Sequence, residues 1–189
     1  EAGRQLIAGY NLAASGLGLA IDQPLADARA LVPALATRPA DPEGDRLALT
    51  ALADWATRYC PWVALADEAT LLLDITGCAH LFAPVGASRQ RAEATLAREI
   101  GRRLGGFGLT ARLAIAATPG AAWGHARHDR YPGPHYGPRD LRTLPVAALR
   151  LPEELLEGLR RFGLRRIGDV LALPRPALTA RFGGAVLDR

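Results

Sequence analysis

Lysine and methionine are absent from this 189-residue chain, and cysteine is nearly so, with only Cys60 and Cys78. Without lysine, every side-chain cation apart from histidine is a planar, permanently charged guanidinium, and no ammonium can hold a phosphate as a point charge. Two cysteines in apolar surroundings exclude a disulfide framework and behave as small hydrophobes. No apolar run reaches the roughly 18 residues of a membrane span. No basic, apolar, small-residue leader opens the chain. These absences predict a cytoplasmic protein with no membrane contact.

What the chain does have is apolar residues at 49%, enough for one or two compact units, and arginine. Glu1 to Val85 carries 5 Arg against 10 Asp plus Glu, whereas Gly86 to Arg189 carries 18 Arg against 9. The net charges of the two stretches are −5 and +9, which make up the overall +4. A basic second half on an acidic first half predicts a polyanionic partner for the second.

Pro24 opens a short helix through Leu31 that Pro33 stops, and Arg38 to Pro42 reads as a turn before a helix from about Asp45 to Tyr59. Trp62 to Ala66 and Leu71 to Ile75 read as strands flanking Asp67 and Glu68, whose plainest reading is a polar hairpin turn. A long helix follows from Arg89 to Leu104, capped by Gly105 and Gly106. Leu109 to Ala116 alternates as a strand, and Thr118 with Pro119 starts a helix to about His128. This order predicts an α/β palm-like sheet with helices on one face. Tyr131 to Arg139, rich in Gly and Pro, reads as a connector at a domain boundary, and short helices follow at 145–149, 153–162, 167–173 and 175–182. Trp55, Trp62 and Trp123 are expected in the core.

Between Leu159 and Leu171 the chain reads helix, Gly163, an apolar residue, two arginines, an apolar residue, Gly168, helix. Glycines in such a helix-hairpin-helix let backbone N–H groups approach a phosphate, and the second helix turns its N-terminus to the same anion. Arg160, Arg161, Arg165 and Arg166 add charge, so these six residues are the expected DNA-binding set. Phosphate contacts of this kind hold any DNA sequence. The plain alternative is a helical turn capped by Gly163.

The stretches 25–33, 72–77 (Leu-Leu-Asp-Ile-Thr-Gly), 114–116 and 163–170 resemble, in order, the fingers, palm, palm and thumb of Y-family DNA polymerases of the UmuC and DinB type. Cys78-Ala79-His80-Leu81-Phe82 is closest to the ImuB subgroup of bacterial mutasome proteins. The resemblance implies a mixed α/β (α+β) fold with a fingers-like region at 1–56, a palm at 57–138 and a helical thumb at 139–189. It also implies that the first palm strand, with its catalytic Asp, and the little finger lie outside this chain.

Active members of that family hold two magnesium ions with carboxylates. Their palm motif has an Asp-Glu pair five and four places before the Asp that corresponds to Asp74, and those places fall here on Ala69 and Thr70. Asp67 and Glu68 stand two residues too early, a displacement of roughly 6.6 Å along a strand. The family's triphosphate-contacting Asn-Lys and later Lys fall on Thr118, Pro119 and Trp123, with Arg127 and Arg130 nearby but off the motif. The resemblance therefore implies a non-catalytic homologue needing no cofactor. It implies a DNA-binding adaptor in SOS-induced translesion synthesis and repair, nucleoid-associated in a bacterial cytoplasm. Its implied partners are DNA, a sliding clamp, an error-prone catalytic polymerase and a RecA-like protein. Two alternatives stay open: an active polymerase using Asp67, Glu68, Asp74 and Mg2+ through a re-registered strand, and a plain helix-hairpin-helix module. No metal is otherwise expected, because His125, His128 and His135 lack the i,i+4 spacing of a helical zinc pair and the cysteines are far apart in sequence. Gly105 to Gly108 lacks the Lys-Ser/Thr of a phosphate loop.

Overall fold

Proline and capping chemistry set most of the helix starts. In the computed structural model, which describes residues 4–11, 13–14, 16–129, 135–136 and 140–186, α1 spans Leu25–Leu31 directly after Pro24. The helix α2 spans Pro42–Ala56, earlier than its expected start. Proline suits the first helical position because its missing N–H would have no partner there, and Asp41 completes the start by accepting from the Gly44 amide at 2.9 Å. The expected turn at Arg38 to Pro42 thus ends as a helix N-terminus.

The chain divides into two compact units, Glu1–Ala48 and Leu49–Arg189, and the division falls within α2. The first unit packs Ile7, Leu19 and Ala28 together. Its stretch from Gln5 to Ile7 pairs with the approach to α1 through Ile7 N to Gln23 O and Leu25 N to Gln5 O, both 2.9 Å.

In the second unit, β1 (Trp62–Asp67) and β2 (Thr70–Asp74) form an antiparallel hairpin with a tight turn at Glu68 and Ala69. The register runs from Trp62 opposite Asp74 to Leu65 opposite Leu71, then shifts so that Asp67 faces Thr70, leaving Ala66 as a bulge. Helix α3 (Arg89–Gly106) starts on the Ser88 side chain, which accepts from the Arg91 amide. It buries Ala92 and Leu96 against Tyr59, Ala79, Trp55 and Leu73. It ends later than expected, with Gly108 rather than Gly105 or Gly106 in the left-handed region (φ 76°).

The strand expected over 109–116 shrinks to β3 (Ala114–Ile115), paired in parallel with β4 (His135–Tyr136). Strand backbone needs a neighbour to satisfy its N–H and C=O groups, and this described partner is two residues long. The described strands therefore make two two-stranded sheets rather than the single palm-like sheet expected. Helix α4 spans Pro119–His128, capped by Thr118 as expected.

The remainder is helical. The 3₁₀ turn Val146–Leu149 and helices α5 (Glu153–Arg161), α6 (Ile167–Leu171) and α7 (Arg175–Phe182) bury Val146, Leu156, Leu159, Val170 and Leu178 together. The connector at Tyr131 to Arg139 lies outside the described residues, β4 backbone apart. No described helix is long and apolar enough to cross a membrane.

Candidate functional site

The expected carboxylates fall at opposite ends of the β1–β2 hairpin. Asp67 faces Thr70 beside the turn, whereas Asp74 faces Trp62 at the open end. Four strand residues, roughly 13 Å, separate those two pairs. The bulge does re-register Asp67, setting it directly across from Thr70, where the resemblance places the Glu of the catalytic pair. Cross-strand neighbours still stand ~5 Å apart at Cβ.

Asp67 is also fully engaged. Its Oδ2 accepts from Trp123 Nε1 at 3.0 Å, its Oδ1 accepts from the Ala69 amide at 2.9 Å, and an Arg127 guanidinium nitrogen lies 3.9 Å away. Partial burial raises its pKa, but the hydrogen bonds from Trp123, Ala69 and Thr70 and the charge of Arg127 outweigh that and hold it below the usual carboxylate range. Asp74 closes a turn by accepting from the Thr76 amide at 2.9 Å, and hydrogen bonding to Thr76 lowers its pKa too. Glu68 is exposed in the hairpin turn. Among the described residues no three His, Cys, Asp or Glu side chains are grouped to hold a metal. Asp67, Glu68 and Asp74 do not form one such group.

Trp123 is not the core residue expected. It lies half-buried on α4 with the Arg127 guanidinium 5.6 Å and the Arg150 guanidinium 5.2 Å from its ring. The ring ties the hairpin turn to α4 and to the 3₁₀ turn that ends at Arg150. Thr118 and Pro119, the other triphosphate positions of the resemblance, serve as the cap and first residue of α4. Arg127 is held against Asp67, and Arg130 lies outside the described residues. Of the other tryptophans, Trp55 packs on Tyr59 and Phe107 as expected, but Trp62 is 73% exposed, because no described element covers the edge strand β1 there. On α4 itself, His125 is buried 3.3 Å from Asp129, and burial with nearby Arg127 and Arg112 lowers the pKa of His128.

The hairpin between α5 and α6 is built differently from the phosphate clamp expected. The amides of Arg165 and Arg166 both donate to Asp169 Oδ2, at 2.9 and 2.8 Å. The Arg165 carbonyl accepts from the Val146 amide, and the Ile167 amide donates to Leu144 O. Gly163 is left-handed (φ 78°), where a side chain would be strained. Gly168 is needed for packing instead, since a Cβ there would stand 3.1 Å from both Arg142 O and Arg142 Cβ. Gly168→Ala is accordingly expected to destabilise the protein by about 1–3 kcal/mol in chemical denaturation, and an unchanged midpoint would contradict this packing.

The amides of Arg165 and Arg166 are thus occupied within the chain. Arg160 pairs with Glu153 at 2.6 Å and Arg161 with Glu157 at 3.3 Å, both at the surface, where such pairs contribute little. Arg165 and Arg166 are exposed. Arg160 and Arg165 line the same recess of about 330 Å3, floored by Pro145, Val146 and Ala147.

Residues 1–126 match the impB/mucB/samB family. The chain belongs to that family. Within the family it is 45% identical over 176 residues to Protein ImuB of two Caulobacter vibrioides strains, NA1000 / CB15N and ATCC 19089 / CIP 103742 / CB 15. Each match takes in 92% of this chain but only 37% of the relative, so the chain spans little more than a third of those proteins. Its fold matches the crystal structure of DinB from Sulfolobus solfataricus with a TM-score of 0.77, over 97% of this chain and 54% of that one, at 18% identity. The fold is thus that of a Y-family polymerase, as the family membership leads one to expect.

Sequence reasoning missed the link between Asp67 and Trp123 across 56 positions. The one local signal was Arg127, four residues after Trp123 and so on the same face of the helix.

Proposed function

We propose that this chain is part of a non-catalytic Y-family polymerase homologue of the ImuB type, which binds DNA as an adaptor in SOS-induced translesion synthesis and repair. The observation that carries the reading is the engagement of Asp67. Of the two acidic side chains beside the catalytic position, Asp67 is held by Trp123, Ala69 and Arg127, and Glu68 is exposed in the turn. Retention of the fold with such a site suits a scaffold for DNA better than a two-metal enzyme.

In this reading, residues 1–56 are fingers-like, 57–138 palm-like and 139–189 a thumb. Arg160, Arg161, Arg165 and Arg166, presented by the turn at Gly163 and Gly168, contact DNA phosphates through their side chains. The name shared by the curated relatives supports the ImuB assignment. The adaptor role further supplies a sliding clamp, an error-prone catalytic polymerase and a RecA-like protein as partners, in a bacterial cytoplasm at the nucleoid. No cofactor is required.

One observation favours the rival reading of an active polymerase, namely the bulge that sets Asp67 opposite Thr70. Primer extension by the full-length protein that contains this chain, with Mg2+ and four nucleotides and run beside a DNA-binding titration, separates the two. Binding without extension is expected, and extension would favour the enzyme.

A further inference from the structure

Phe162 caps the C-terminal end of α5 and keeps 52% of its surface exposed. The Arg181 guanidinium carbon lies 3.7 Å from its ring centroid, and Phe182 meets it at 5.7 Å with the rings 75° apart. The ring is therefore held in place by α7 rather than buried by it. It stands one residue before Gly163, in the same hairpin segment as Arg161, Arg165 and Arg166, all exposed.

The Asp169 carboxylate already takes the amides of Arg165 and Arg166. With those two amides taken, the exposed guanidinium groups and any flat surface beside them are what the hairpin offers DNA. A fixed aromatic ring amid positive charge is what unpaired bases stack on, and that stacking tolerates any sequence because every base has a π-face. Arginine planes stack on rings and bases alike, so Arg181 extends the platform. Bases inside a duplex have both faces covered and gain nothing from such a ring.

We propose that Phe162, backed by Arg181, is a base-stacking platform that directs the basic hairpin to unpaired DNA. The inference rests on the DNA-binding reading above and names the substrate class of that site. It is tested by titrating the protein, Phe162→Ala and Phe162→Leu with a short single strand of mixed sequence and with the duplex it forms with its complement. Leucine keeps an apolar contact with Phe182 but removes the flat ring, so it separates stacking from folding. Both variants should bind the single strand roughly tenfold more weakly and the duplex unchanged. Undiminished single-strand binding by Phe162→Leu would overturn this inference alone and leave the ring to a protein partner. Equal weakening on both DNAs would overturn it too, by making the ring structural. Failure of the unaltered protein to bind either DNA would instead overturn the reading on which the inference rests.

Discussion

Trp123→Ala is expected to lower the stability of the protein by about 2–4 kcal/mol, because it removes the packing of the ring, two cation–π interactions and one hydrogen bond. For a chain of this size that corresponds to a fall of roughly 5–15 °C in Tm. The ring lies between Arg127 and Arg150 and donates to Asp67, so its removal unfastens the β1–β2 turn from α4 and from the segment that ends at Arg150. Trp123→Phe keeps a ring for the two guanidinium groups and loses the N–H, so its cost should be nearer 1 kcal/mol. Thermal unfolding of the two variants checks the order. A Tm unchanged by Trp123→Ala would mean that the Trp123 contacts contribute nothing to stability.

The second large effect concerns DNA. Arg165→Ala combined with Arg166→Ala is expected to weaken binding on the order of tenfold at moderate salt, equally for unrelated sequences. The slope of log K against log salt should become shallower by about 2, one for each phosphate no longer neutralised. Both side chains are exposed and Asp169 is held by their backbone amides, so the fold should be unaffected. A double variant that binds as well as the unaltered protein would leave the hairpin with no part in DNA binding. Weakening confined to one DNA sequence would contradict phosphate contact.

Much of the architecture is legible in the sequence because it follows local chemistry. Thr118 with Pro119 marks a helix start wherever the chain runs, and two short apolar runs either side of Asp67 and Glu68 read as a hairpin. What is not legible depends on distant partners. The strand expected at 109–116 is short because strand length is set by the neighbour, which the sequence of one strand does not specify. Residue type alone assigns Trp123 to the core, whereas its environment is made by Asp67 and Arg150, from two other parts of the chain. Spacing finds the hairpin arginines, but it does not find the Asp169 carboxylate that accepts from their amides. An Asp three residues after the Arg166 N-cap, able to reach back to the amides before the helix, is the available clue.

The measurement that bears most directly on the non-catalytic reading is primer extension in Mg2+ with all four nucleotides, made beside a binding titration on the same primed template, for the full-length protein that contains this chain and for its Asp67→Ala variant. A non-catalytic adaptor binds the template and adds no nucleotide, and that is the expected result for the unaltered protein. Extension that disappears in Asp67→Ala while template binding persists would contradict it, and would make Asp67 a metal ligand in a working polymerase.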